Sequence, residues 1–171
     1  MKKTLFLTLT LSLLLASCSV FSKLSEVEYN NQVVDQINLV STAIEDSATL
    51  YNETVPDVVT EASVIDTTQM KISHETASLE LLNVEPLMIL ESRNIEQQNS
   101  VRTEIQTYES AANDYLDLYG QMLDYYASSA YVEDLNKVKS FHKDLHTSYT
   151  TFIQANNDLV DILDGFVSKE E

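Results

Sequence analysis

Apolar residues recur along this chain at spacings of three and four, the repeat of one helix face. Nowhere does the spacing of two that marks a half-buried strand run for a convincing length. Val33, Ile37, Val40, Ile44, Ala48 and Tyr51 form the first stripe and predict a helix over 24–53. Val55-Pro56 ends it, because the residue before a proline avoids the helical region, while proline itself suits a first helical turn. A weaker stripe of Val58, Ala62, Ile65, Ile72, Leu79 and Leu82 predicts a second helical stretch over 57–83. Thr67, Thr68 and Gln69 interrupt it, so one helix or two shorter ones fit.

The third stripe is the most regular. Val101, Ile105, Tyr108, Ala112, Tyr115, Tyr119, Met122 and Tyr126 alternate steps of four and three, predicting a helix over 87–128. Leu135, Val138, His142, Leu145, Tyr149, Phe152, Asn156, Leu159, Leu163 and Phe166 repeat the pattern and predict a fourth over 132–167. Heptads sustained this long imply supercoiled packing. The fold class expected is all-α: an elongated antiparallel bundle of three or four helices with coiled-coil-like packing. Turning the last two helices about a point near residue 130 sets Tyr126 against Leu135, Tyr119 against His142, Tyr115 against Leu145, Ala112 against Tyr149 and Tyr108 against Phe152. The same register brings Asp124 near Lys137, Asp117 near Lys143 and Asp114 near His146.

The first residues break the helical logic. Lys2 and Lys3 precede an apolar run from Leu5 to Leu15, and Ala16 and Ser17 lead to Cys18. A basic start, a short apolar core and small residues make a secretory signal, too short for the ~20 residues of a membrane-spanning helix. Leu15-Ala16-Ser17-Cys18 matches the bacterial lipobox and so resembles a lipoprotein precursor. That implies removal of residues 1–17, lipid on Cys18, a tether over 18–23, a bundle domain over 24–167 and a tail over 168–171. Ser19 is not the aspartate that retains lipoproteins in an inner membrane. The expected location is therefore the cell envelope: the outer membrane of a Gram-negative cell, otherwise the outer face of the cytoplasmic membrane.

Composition narrows the chemistry. The 171 residues include two Gly, two Pro, one Cys and no Trp, with a formal charge of −17. Two glycines are too few for most phosphate-cradling loops and nucleophile turns. The acidity repels nucleic acid, and a single Cys excludes an intrachain disulfide and any cysteine-based zinc site.

Three candidate sites remain. His142 and His146, four apart on one helix, have the spacing of paired metal ligands, with Asp114 as a third across the hairpin. The competing possibility is that His142 is a core residue bonded to the Tyr119 hydroxyl. Asp158, Asp161 and Asp164 line one face near a helix C-terminus, where acids oppose the helix dipole; they mark a surface for a cation or a basic partner, or a solubilising face. Tyr125 and Tyr131, near the hairpin tip, form a candidate aromatic contact surface. No motif for catalysis is present, and no cofactor is expected.

Tyr29-Asn30-Asn31-Gln32-Val33-Val34-Asp35-Gln36, together with Tyr125-Tyr126, Tyr131, Lys139, His142 and Leu145, resembles bacterial lipoproteins with an all-helical mature domain, the YiiG-like group among them. Helical lipoproteins described as cell-wall-binding are similar too. The resemblance implies a helical envelope lipoprotein without an assigned activity. The function expected is that of a non-enzymatic scaffold or interaction module, bound to the membrane through lipid on Cys18 and contacting an envelope protein or cell-wall component. A cation- or small-ligand-binding lipoprotein is the alternative.

Overall fold

The structure, a computed structural model, describes residues 23–128 and 130–167. Four helices run α1 (Glu26–Thr54), α2 (Thr68–Leu81), α3 (Ile95–Ala127) and α4 (Leu135–Val167). Short 3-10 turns at Glu85–Ile89 and Ala130–Val132 lie between them. Among the described residues there is no strand, only an isolated bridge between Leu24 and Ser92. The signal segment, Cys18, most of the tether and the tail lie outside the described residues.

Local chemistry explains the helix boundaries. Ser25 caps α1 through a capping box: Glu28 N–H donates to Ser25 Oγ at 3.2 Å and Ser25 N–H donates to Glu28 Oε2 at 2.9 Å. Two orphan amides are satisfied reciprocally. Val55 is extended ahead of Pro56 and stops the helix. Asn94 caps α3 by accepting from Gln97 N–H at 3.1 Å.

The helices form an antiparallel bundle in which α2 and α4 each pack against both α1 and α3. Thus α1 and α3 lie on a diagonal and run parallel. The side chains that join them, Asn30 to Gln97, Ser41 to Tyr108 and Ser47 to Tyr115, are offset by 67 to 68 residues throughout. At about 1.5 Å per residue, the 33-residue α3 and α4 each span about 50 Å. The bundle is elongated, as the heptads predict.

The first, third and fourth stripes are realised nearly residue for residue. Every member of the α3 stripe is buried, as are Val33, Ile37, Val40, Ile44 and Tyr51 of α1. The predicted pairing of Tyr108 with Phe152 appears as a ring contact at 5.3 Å.

The second stripe is wrong in extent and in face. Residues 57–67 are not helical, and the helix has 14 residues. Ile72, Leu79 and Leu82 are 53%, 64% and 70% exposed, while Met70, Ala77 and Leu81 are buried. The inward positions are 70, 74, 77 and 81, a regular 4-3-4 repeat. His74 hides it: its ring stacks on Tyr119 at 5.8 Å and 4° and bonds the Leu116 carbonyl at 3.0 Å. A polar residue occupies a core position because it finds both an aromatic face and an acceptor. The predicted start of the third helix at 87 moves to 95 because the 3-10 turn and residues 90–94 intervene.

Candidate functional site

A ladder of tyrosines fills the bundle axis. Tyr29, Tyr108, Tyr115, Tyr119 and Tyr126 are among the largest fully buried side chains. A tyrosine hydroxyl in a core needs a partner to avoid a desolvation cost; α1 supplies partners to Tyr108, Tyr115 and Tyr119, while the Tyr29 and Tyr126 hydroxyls are buried without a hydrogen bond. Tyr108 donates to the Ile37 carbonyl at 3.2 Å and lies 2.9 Å from Ser41 Oγ. Ser41 in turn donates to Asn156 Oδ1 on α4. Tyr119 donates to the Ser47 carbonyl at 3.0 Å. Ser47 Oγ donates to the Ile44 carbonyl at 2.7 Å, so in its 3.1 Å contact with Tyr115 the tyrosine is the donor. Burial pushes the Tyr108, Tyr115 and Tyr119 hydroxyls well above the ordinary tyrosine range, and Tyr126 up to about 12. They stay protonated at neutral pH, and those of Tyr108, Tyr115 and Tyr119 act as structural donors.

A second polar cluster closes one end. Asn30 donates to the Leu163 carbonyl at 3.0 Å, and Gln97 Nε2 donates to Asn30 Oδ1 at 2.7 Å. Ser92 Oγ donates to Gln97 Oε1 at 2.7 Å, and Ser92 N–H donates to Gln98 Oε1 at 2.8 Å. All four polar side chains are buried. They join α1, α3, the end of α4 and the segment before α3 at the place where the chain enters the bundle. There Leu24 N–H donates to the Glu91 carbonyl at 2.8 Å, and Arg93 N–H donates to the Leu24 carbonyl at 2.9 Å. The sequence pattern passes over this cluster because Asn30, Ser92, Gln97 and Gln98 read as surface residues; only the capping residue Asn94 signals the place.

His142 does not meet Tyr119. Tyr51 of α1 stands between them, 5.4 Å from the imidazole and 6.3 Å from Tyr119, centroid to centroid. The Tyr51 hydroxyl pairs with His142 Nδ1 at 2.5 Å. Nε2 of the same ring is buried without a hydrogen-bond partner. Desolvation lowers the His142 pKa, partly opposed by the Asp57 carboxylate, so the neutral ring is favoured.

His142 and His146 share a groove of about 360 Å³ with Tyr51, Asn52, Tyr115 and Tyr149. Asp114 is not there. It lies in another groove, between α3 and α4, with Thr150, Thr151, Gln154 and Asp158. Among the described residues no three His, Cys, Asp or Glu side chains are gathered to hold a metal ion.

The charged residues of the hairpin have further neighbours. Lys137 sits over the rings of Tyr125 and Phe141, at 4.8 and 5.5 Å. Asp124 lines one groove with Lys71, and Asp117 another with Glu75, both between α2 and α3. Helix α3 packs against α2 as well as α4.

The aromatic tip is not a surface. Tyr125 is 8% and Tyr131 6% exposed. Tyr125 donates to the Asp134 carbonyl at 2.7 Å, and Tyr131 donates to the Ser63 carbonyl at 2.8 Å, fastening the 55–67 segment onto the hairpin. Asp158, Asp161 and Asp164 are exposed along α4 as predicted, and Asp158 accepts from Gln154 at 2.7 Å.

A further groove, of about 670 Å³, lies between α2 and α3. Leu81 and Leu116 form its floor, Leu79 and Leu82 its wall, and Glu75, Glu85, Glu109 and Asp117 its charged lining. Among the described residues no helix is long and apolar enough to cross a membrane. Compared with protein-family models, curated proteins and solved structures, the chain matches none.

Proposed function

We propose that this chain is a lipid-anchored envelope protein that works by contact, as a non-enzymatic scaffold or interaction module. One observation carries the reading. The interior is a ladder of neutral tyrosines bonded inward to α1, while the carboxylates line outer faces and shallow grooves. A filled axis of this kind supports a rigid spacer better than an enclosed reaction chamber. The clamp at Leu24 and Ser92 adds to it: with lipid on Cys18, a tether of about five residues spans at most about 17 Å, and the bundle's far end stands about 50 Å from its clamped end.

The test is fractionation of cells expressing the full chain and its Cys18→Ala variant. The parent should sediment with membranes and be released by detergent. The variant should lose that association. Membrane retention of Cys18→Ala overturns the anchor.

The groove shared by His142 and His146 favours a second reading, binding of a cation or small ligand. Calorimetric titration with zinc and calcium distinguishes it: heat abolished by His146→Ala supports the site, and no heat at millimolar metal removes it.

A further inference from the structure

Helix α2 carries two apolar faces. Met70, Ala77 and Leu81 point into the bundle, while Ile72, Leu79 and Leu82 face out and are mostly exposed. On a 14-residue helix that packs mainly against α1 and α3, the second face is left mostly open among the described residues. Leu79 and Leu82 border the α2/α3 groove, which is lined by Glu75, Glu85, Glu109 and Asp117 and by no Lys or Arg. Helix α2 also ends in this groove with no basic residue in its last turn, so the negative end of its dipole adds to the four carboxylates.

We infer that this groove is a docking surface for a basic amphipathic peptide segment of a partner protein, its apolar side on Leu79, Leu82 and Leu116 and its lysines or arginines on the acidic lining. Amphipathic segments dock into apolar grooves through one face and obtain orientation from the charges around it. A second copy of this chain is a poor occupant: each copy carries −17, and pairing would set like charges together. Nucleic acid is excluded on the same ground. The inference deepens the contact function proposed above and rests on it.

The probe is a fluorescent synthetic Leu/Lys peptide of about fourteen residues, about 21 Å as a helix. It is compared with a Lys/Ser peptide of equal charge and a Leu/Glu peptide of equal apolarity. Binding is read by anisotropy on the intact chain as cells make it, held in zwitterionic phosphatidylcholine nanodiscs where it carries lipid. The Leu/Lys peptide alone should bind. Leu79→Asn with Leu82→Asn, and separately Glu75→Lys with Asp117→Lys, should each weaken it by about tenfold or more. Asp158→Lys with Asp161→Lys, an equal charge change on α4, should leave it within about twofold. All these positions are exposed, and unchanged helical circular dichroism checks that each variant folds.

Equal weakening by both charge reversals, binding of the Lys/Ser peptide, or no binding at all overturns the docking surface. So does concentration-dependent self-association lost in the Leu79/Leu82 variant, which would make a second copy the occupant. The two proposals fail separately: a chain that fractionates with membranes yet ignores the peptide keeps the anchor and loses the groove, and the converse result does the opposite.

Discussion

Ser47 is the most economical place to test whether the tyrosine ladder is held by its hydrogen bonds or by packing alone. Its hydroxyl donates to the Ile44 carbonyl and accepts from Tyr115, and Ser47 and Tyr115 both have no solvent exposure. Ser47→Ala removes Tyr115's acceptor and leaves a buried O–H unsatisfied, which costs about 1 to 3 kcal/mol. Tyr115→Phe removes the donor while Ser47 keeps its bond to Ile44, and should cost about 1 kcal/mol. In the double variant the orphan disappears, so its cost should fall short of the summed singles by about 1 kcal/mol or more. Urea unfolding of the four proteins, followed by far-ultraviolet circular dichroism, measures this coupling. The denaturant slopes should agree, so that midpoint shifts report stability. For a chain of this length each kcal/mol is also about 2 to 4 °C in Tm. Single-variant losses that add within about 0.3 kcal/mol would refute the reasoning, because they would show that the hydroxyl pair carries no coupling.

Further outcomes follow from other particulars. Burial holds the folded His142 pKa below its ordinary 6.5, so the stability linked to its neutral ring is complete above about pH 6.5 and is lost as pH falls through the lower folded value. His142→Gln should flatten that part of the stability-against-pH curve, and parallel curves for parent and variant would contradict it. Gly120 lies within α3, where an added Cβ would meet His74 Nε2 at 3.4 Å, an ordinary contact. Gly120→Ala should therefore stabilise by up to about 1 kcal/mol through helix propensity, seen as a higher Tm; a lower Tm would mean the His74–Tyr119 stack cannot accommodate the methyl. Tyr131→Phe removes the bond to the Ser63 carbonyl, about 1 kcal/mol. Limited proteolysis within residues 56–67 should speed up about fivefold under conditions where cleavage follows the open population, and an unchanged rate would show that packing alone fastens the segment.

Much of the fold was legible because three of the four helices obey a single rule. In α1, α3 and α4 most of the buried face is apolar or tyrosine, so periodicity alone located them and their antiparallel hairpin. Helix α2 broke the rule twice: His74 stands where the pattern wants an apolar residue, and Ile72, Leu79 and Leu82 mark a better stripe on the wrong side. A stripe reports that a face is apolar, not what covers it. The buried polar cluster of Asn30, Ser92, Gln97 and Gln98 was hidden for the converse reason, since amides and hydroxyls enter a core only when partners from other helices meet them there.

The sequence by itself determined the all-α class, the elongated form and the α3–α4 hairpin, because these depend on repeats within one segment and between neighbours in the chain. Tertiary structure decided which partner each polar tip received. Tyr51 took His142 away from Tyr119, Ser63 and Asp134 took the hydroxyls of the apparent aromatic tip, and Lys137 was drawn over the rings of Tyr125 and Phe141. A hydrogen bond or an ion pair depends on position in three dimensions to within an ångström, and its choice among competing partners is made only once all four helices stand beside one another.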